Sequence, residues 1–285
     1  MAIRQITIVG TGLIGGSLGL ALHQYGFEGT IVGCDRRAVL ESAQQRGAID
    51  RADANLERAI ERSDVIVLAT PVGCILSHLE AIAPLAPPET LITDTGSTKE
   101  QIVERARMLL GAAAAERVLP GHPMAGKEYS GIEHAEAELF RDAAWLITPI
   151  GPNQPYTSRQ QEYVDLLQSI GARVMAMEAE RHDRLCAWIS QLLQMISTAL
   201  ASLLREELGD EEAALEIGGR ALREMTRIAH SPYSMWRDIA LTNTENLEEA
   251  LLRLEQQLAH LRENLRGPAL RELFDSANRF GKNSQ

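Results

Sequence analysis

No pair of cysteines in this chain has the Cys-x-x-Cys spacing of a metal or redox motif. There are three, Cys34, Cys74 and Cys186, an odd number at wide separations. That argues against a disulfide framework, gives no zinc signature, and fits reduced thiols in a cytoplasmic protein. The chain is also short of positive charge: 28 Lys and Arg against 39 Asp and Glu leave a net charge of -11. An acidic surface of this kind argues against a general nucleic-acid or anionic-membrane partner. An anionic substrate would need its own local cluster of arginines. Nor is there an unbroken apolar run of membrane length. Residues 185–204 carry no charge, but Ser190, Gln191, Gln194, Ser197, Thr198 and Ser202 interrupt them. That suits a helix buried in a core or a subunit interface better than a bilayer span. The N-terminus runs straight into a strand-like segment, so no secretory leader is expected.

What is present is enough for two cored domains: 285 residues, 45% of them hydrophobic. Residues 3–9 form a short β-branched run that enters Gly10-Thr11-Gly12-Leu13-Ile14-Gly15. A Gly-x-Gly-x-x-Gly between a strand and a helix marks a dinucleotide site. Gly10 allows the tight turn, Gly12 the approach of backbone to a pyrophosphate, and Gly15 the close helix–strand packing. Thr11, Leu13 and Ile14 fill the turn, and the helix is expected from Ser17. A second strand over residues 30–34 ends at Asp35, about twenty residues on, where an acid bonds the adenine ribose of NAD. Arg36 and Arg37 follow and keep NADP open. A carboxylate would repel its 2′-phosphate, so NAD is favoured. Asp35 could equally cap the next helix.

Strands then alternate with helices. Residues 65–69 form a strand ending in Thr70-Pro71, and residues 91–93 one ending in Asp94-Thr95-Gly96-Ser97. A strand over residues 117–120 leads into Gly121-His122-Pro123-Met124-Ala125-Gly126-Lys127-Glu128, read as a tight, exposed turn carrying an imidazole. Further strands are expected over residues 144–148 and 173–177. The pattern predicts an α/β fold, a doubly wound Rossmann-type parallel sheet over residues 1–178. Ligands bind such sheets outside the strands' carboxyl ends. The glycine turn, Asp35, Thr70-Pro71, Asp94 to Ser97 and Gly121-His122 should therefore meet in one crevice.

Residues 179–285 read as all-α. A central helix is expected over residues 180–204. Another, over residues 211–229 and capped by Asp210, sets Arg220, Arg223 and Arg227 on one face; spacing alone allows a solvated basic face or an anion site. Thr242 and Glu245 suggest a capping box. Leu247, Leu251, Leu254, Leu258, Leu261 and Leu265 then form a seam with heptad spacing. Two long apolar helices exceed what one small domain can cover, and a homodimer through this domain is expected.

Together these residues resemble the prephenate/arogenate dehydrogenase family of tyrosine biosynthesis over nearly the whole chain. The resemblance rests on the glycine turn with Gly16-Ser17, Thr70-Pro71, Asp94-x-Gly96-Ser97-x-Lys99, and Gly121 to Gly126 with Glu128 and Gly131. His182-Asp183, Thr226-Arg227-Ile228-Ala229 and Met235-Trp236-Arg237-Asp238 complete it. It implies oxidative decarboxylation of a cyclohexadienol with hydride transfer to a nicotinamide. His122 matches the catalytic histidine and Ser97 the serine between it, substrate and cofactor. Arg227 matches the arginine that binds a substrate carboxylate, with Arg223 as its understudy, and Glu128 and Trp236 match pocket positions. His182 is expected to be a structural cap, and no metal is implied. One departure stands out. Ser190-Gln191-Leu192-Leu193-Gln194 replaces the family's Ser-His-Leu-Pro-His, so Gln194 would face the substrate side chain and leaves prephenate or arogenate open. A hydroxy-acid or imino-acid dehydrogenase would use a lysine or another loop for proton transfer. A non-catalytic dinucleotide-binding regulator would not need Ser97, His122 and Arg227 intact.

Overall fold

The computed structural model describes residues 3–151, 155–209 and 216–282. Its centre is a six-stranded parallel sheet in the order β3-β2-β1-β4-β5-β6. The strands are β1 (Gln5–Val9), β2 (Thr30–Cys34), β3 (Arg51–Ala52), β4 (Val65–Leu68), β5 (Leu91–Asp94) and β6 (Val118–Leu119). Helices cover both faces, so central strands are apolar throughout: Val65, Ile66, Val67 and Leu68 are all buried. The strand order reverses between β1 and β4, which opens a crevice at their carboxyl ends. Helix α1 (Leu13–Gln24) starts four positions before the expected Ser17. It can do so because Gly15 faces β1; a Cβ there would strike the Gly10 carbonyl.

The single sheet expected over residues 1–178 is two sheets. Pro120 follows β6 and has no N–H to continue the ladder. The chain leaves the parallel sheet, and β7 (Gly121–Pro123) pairs antiparallel with β8 (Ala144–Ile147). β8 in turn pairs in parallel with β9 (Arg173–Ala176). The Thr148 N–H donates to the Pro120 carbonyl at 2.9 Å and stitches the two sheets together. Trp145, wholly buried on β8, packs on Phe140 with ring centroids 5.0 Å apart. His122 therefore sits in a strand opposite Leu146 and is 8% exposed, not in an exposed turn.

The second domain begins with α8 (Ala179–Cys186), a π turn (Ala187–Gln191) and α9 (Leu192–Leu208). By length and composition alone this continuous helix could cross a membrane, and 28% of its most apolar window is buried. Helices Gly219–Thr226, Tyr233–Thr242, Thr244–Glu263 and Pro268–Lys282 follow. The expected cap Asp210 and the helix start at Glu211 lie outside the described residues. The capping box at Thr242 does not form. Its hydroxyl donates back to the Asp238 carbonyl at 2.8 Å, which makes Thr242 the end of one helix and not the start of the next. Along the leucine seam Leu247 is buried, whereas Leu251, Leu258 and Leu265 face outward.

The helical domain docks by offering acids to helix N-termini. Neither α4 (Val72–Ile82) nor α5 (Glu100–Leu110) has a side-chain cap of its own. Asp183 accepts the Lys99 and Glu100 N–H groups at 2.7 and 2.9 Å at the start of α5. Asp238 accepts the Gly73 N–H at 3.2 Å in the first turn of α4. Each satisfies orphan donors and meets the positive end of a helix dipole. Asp238→Ala should cost about 1 kcal/mol, the usual value of a lost cap. Chemical denaturation of the purified variant reads this directly, and an unchanged midpoint would remove Asp238 from the docking account.

Candidate active site

A cavity of about 600 Å³ opens at the carboxyl ends of β1, β4 and β5, with the helical domain as its far wall. Of the five loops expected to meet in one crevice, that of Asp35 does not line the cavity. Gly12, Leu13, Ile14, Thr70, Pro71, Thr95, Gly96, Ser97 and His122 do line this cavity. So do Ser190, Gln191 and Trp236 from the other side.

At the glycine turn, Gly10 has φ +94°, a conformation open to glycine and strained for other residues. Helix α1 begins at Gly12 with no side-chain cap and no acid in its first turn. Its free N–H groups and dipole suit an anion. A Cβ on Gly12 would meet nothing within 4 Å, so the space above the turn is open to a ligand. Asp35 stands beside it, accepting the Thr11 N–H at 2.8 Å and the Arg36 N–H at 2.7 Å. It does not cap α2 (Arg37–Gln45), whose N-cap is Arg36. The Arg36 side chain is 89% exposed and 4.0 Å from Asp35. The Thr70 hydroxyl is buried in this wall without a partner. Open space over bare N–H groups, an unpaired hydroxyl and a strand-end carboxylate together fit a dinucleotide.

Asp94 is placed elsewhere. It is 2% exposed and pairs with the buried ammonium of Lys99. It also accepts the Gly96 N–H at 2.8 Å, so it shapes the loop that carries Ser97 and does not line the cavity. Lys99 donates in addition to the Gly121 carbonyl at 2.6 Å, which fixes β7 from behind. Burial draws the Lys99 ammonium down and the Asp94 carboxyl up, and their mutual attraction opposes both shifts.

His122 ends a buried relay. Its Nδ1 lies 2.9 Å from Nε2 of His182, whose Nδ1 lies 2.7 Å from Asp183 Oδ1. A carboxylate can only accept, so His182 donates from Nδ1 and accepts at Nε2. His122 then donates from Nδ1 and keeps a bare lone pair on Nε2, which has no protein partner among the described residues. Desolvation, then His182 and Lys99, hold the His122 imidazole well below its ordinary pKa, so it is neutral. His182 is lowered too, chiefly by burial and against the pull of Asp183. His182 is thus no cap; Glu178 takes that position on α8.

The remaining expected residues gather at the rim. Arg227 begins a 3-10 turn (Arg227–His230), pairs with Glu128, and is 60% exposed. Neither residue lines the cavity. Arg223 is exposed on its helix, where Arg220 pairs with Glu224 at 2.7 Å. Gln194 is buried, and its amide donates to the Ile228 carbonyl at 2.8 Å, which ties α9 to the turn of Arg227. Gln194 therefore does not line the cavity, and Gln191 does. The π turn adds a residue to the helical repeat and rotates the following positions. Gln191 Oε1 accepts from Asn243 at 2.8 Å, and its Nε2 is buried without a partner, like the Trp236 indole N–H. These are two donors for a polar ligand.

The prephenate dehydrogenase nucleotide-binding domain model matches residues 18–176, and the prephenate dehydrogenase dimerization domain model matches residues 178–277. The chain belongs to the prephenate dehydrogenase family. A Lactococcus lactis prephenate dehydrogenase is 32% identical over 91% of this chain and 70% of its own length. The Zymomonas mobilis cyclohexadienyl dehydrogenase is 29% identical over 91% and 87%. Among solved structures, the A. aeolicus prephenate dehydrogenase in complex with hydroxyphenyl propionate and NAD+ is 28% identical with TM-score 0.83, covering 100% of this chain and 96% of that one. The Synechocystis arogenate dehydrogenase is 29% identical with TM-score 0.76, covering 99% and 100%.

The turn also separates folding from binding. Gly12→Ala should fold with an unchanged melting temperature, because its Cβ meets no protein atom. Dinucleotide affinity should fall about tenfold or more, since the backbone can no longer approach the pyrophosphate. Calorimetric titration checks this, and wild-type affinity in Gly12→Ala would move the pyrophosphate off the turn.

Proposed function

We propose that the protein oxidatively decarboxylates prephenate, arogenate or both, with NAD favoured over NADP, and that His122 is its general base. The observation that carries this reading is the relay from Asp183 through His182 to His122, a residue that lines the same cavity as Gly12 of the glycine turn. Asp35 supports NAD: a carboxylate at that strand end suits ribose hydroxyls and repels a 2′-phosphate. Bound there, the nicotinamide supplies the hydride acceptor.

His122 Nε2 accepts the hydrogen bond of the ring hydroxyl and takes its proton as the ring carbon loses hydride. The positive charge that develops on His122 is shared through His182 toward Asp183. Ser97, on the loop held by Asp94, positions the same hydroxyl. Loss of CO2 aromatises the ring and supplies the driving force, so orientation and exclusion of water are what the protein must add. Arg227 engages a substrate carboxylate through the part of its fork that Glu128 leaves free. Gln191 and Trp236 donate to the remaining polar groups. The outward Leu251, Leu258 and Leu265 support a homodimer through the helical domain, with the domain boundary near residue 178 and the enzyme in the cytoplasm.

Purified protein assayed with NAD or NADP and with prephenate or arogenate settles the assignment. Reduced cofactor should form with at least one pair, NAD first; no turnover in any of the four combinations sinks it. His122→Asn should fold and bind NAD yet lose kcat by about a hundredfold or more, as expected for a missing general base. Full kcat in that variant would place the base elsewhere. Arg227→Ala should mainly raise KM, and a KM that does not move transfers the carboxylate site to Arg223.

A further inference from the structure

Cys186 stands one helical turn after His182 and takes no part in the chemistry above. Its Sγ lies 3.6 Å from His182 Nε2 and 4.0 Å from His122 Nδ1. Those two nitrogens are themselves 2.9 Å apart, and all three donor atoms are buried within 4.8 Å of one another. Zinc takes imidazole nitrogen at about 2.0–2.1 Å and thiolate sulfur at about 2.3 Å, which sets tetrahedral donors roughly 3.3–3.6 Å apart. The three atoms need to move by only about half an ångström to meet those values.

Three further features favour a cation. The other ring nitrogen of His182 is bound to Asp183, the carboxylate–histidine arrangement that orients metal-ligating imidazoles. His122 and Cys186 both line the cavity, so a fourth coordination position faces open space. The charges also balance: Lys99 is matched by Asp94, and a dication with one thiolate leaves a single positive charge for Asp183 to meet.

We propose that His122, His182 and Cys186 form a site for a thiophilic divalent cation, Zn2+ above all, and that its occupancy switches the enzyme off. The cation takes the lone pairs of His122 Nδ1, His182 Nε2 and Cys186 Sγ. The thiol proton leaves to solvent. The proton on His122 Nδ1 moves to Nε2, fills the lone pair that faces the substrate, and removes the base. No electrons are transferred. The loss of activity rests on His122 being that base; the site itself does not.

Metal-free protein titrated with Co2+ should develop a thiolate-to-cobalt charge-transfer band in the near-ultraviolet, saturating at one equivalent and bleached by Zn2+. The band should be absent in Cys186→Ser and Cys186→Ala and persist in Cys74→Ser, which removes the exposed thiol. Zn2+ should abolish turnover, reversibly on chelation. Half-inhibition of Cys186→Ser, read against its own metal-free rate, should need at least about tenfold more Zn2+. No band in the wild type overturns the site without any variant, as does a band that survives both Cys186 substitutions. A normal band with undiminished turnover overturns the switch. Metal-free enzyme that is inactive with every substrate pair would refute the proposed reaction and leave the cobalt result to judge the site.

Discussion

The Asp183 carboxylate accepts two backbone N–H groups at the start of α5 and the imidazole N–H of His182, all within 2.9 Å. It is wholly buried, so its charge is tolerable only because those donors and the helix dipole are there to meet it. The same bonds carry out two tasks that are usually separate. They dock the helical domain on the nucleotide-binding domain, and they set the tautomer of His182 and through it that of His122. Domain docking and the tautomer of His122 therefore share one group. Each donor left without it would be buried and unpaired, at a cost of about 1–3 kcal/mol apiece.

Around that anchor, the nucleotide-binding domain supplies rigidity. Lys99 holds the Gly121 carbonyl from the side opposite the cavity, and Asp94 holds both Lys99 and the Ser97 loop. The cavity wall is thus backed by a buried ion pair that does not itself line the cavity. Such a pair is costly to desolvate and weak as a source of stability. Its value here is geometric: it fixes two loops and a strand relative to one another. The rim is different in kind. Arg227 and Glu128 are paired at an exposed site, where an ion pair adds little stability.

The parallel sheet and the glycine turn were legible in the sequence because both are local. Apolar runs of four or five residues, each ended by a turn residue, specify strands, and Gly-x-Gly-x-x-Gly specifies the turn after one of them. The departure of β7 into a second sheet was not, although Pro120 marks it: a missing N–H ends a ladder but does not say where the chain goes next. His182-Asp183 was visible as a dipeptide and misread as a cap. Its role depends on β7 and α5, some sixty and eighty residues away in sequence. Gln194 was expected at the substrate from its match to the last histidine of the family's Ser-His-Leu-Pro-His, and a motif match does not show a π turn, which no local residue preference announces.

That π turn has a consequence for how this helix is compared with its relatives. Ala187–Gln191 follows directly on the residues that hold His122 and itself carries Ser190 and Gln191 to the cavity. One stretch of chain thus works as two rulers joined with an offset. Ahead of the join, His182 and Cys186 keep the frame of the relay. Within it, the frame turns, and Ser190 and Gln191 reach the cavity, whereas Gln194, beyond it, does not. The cavity-facing positions and the relay positions of one helix are thus set in two different helical frames.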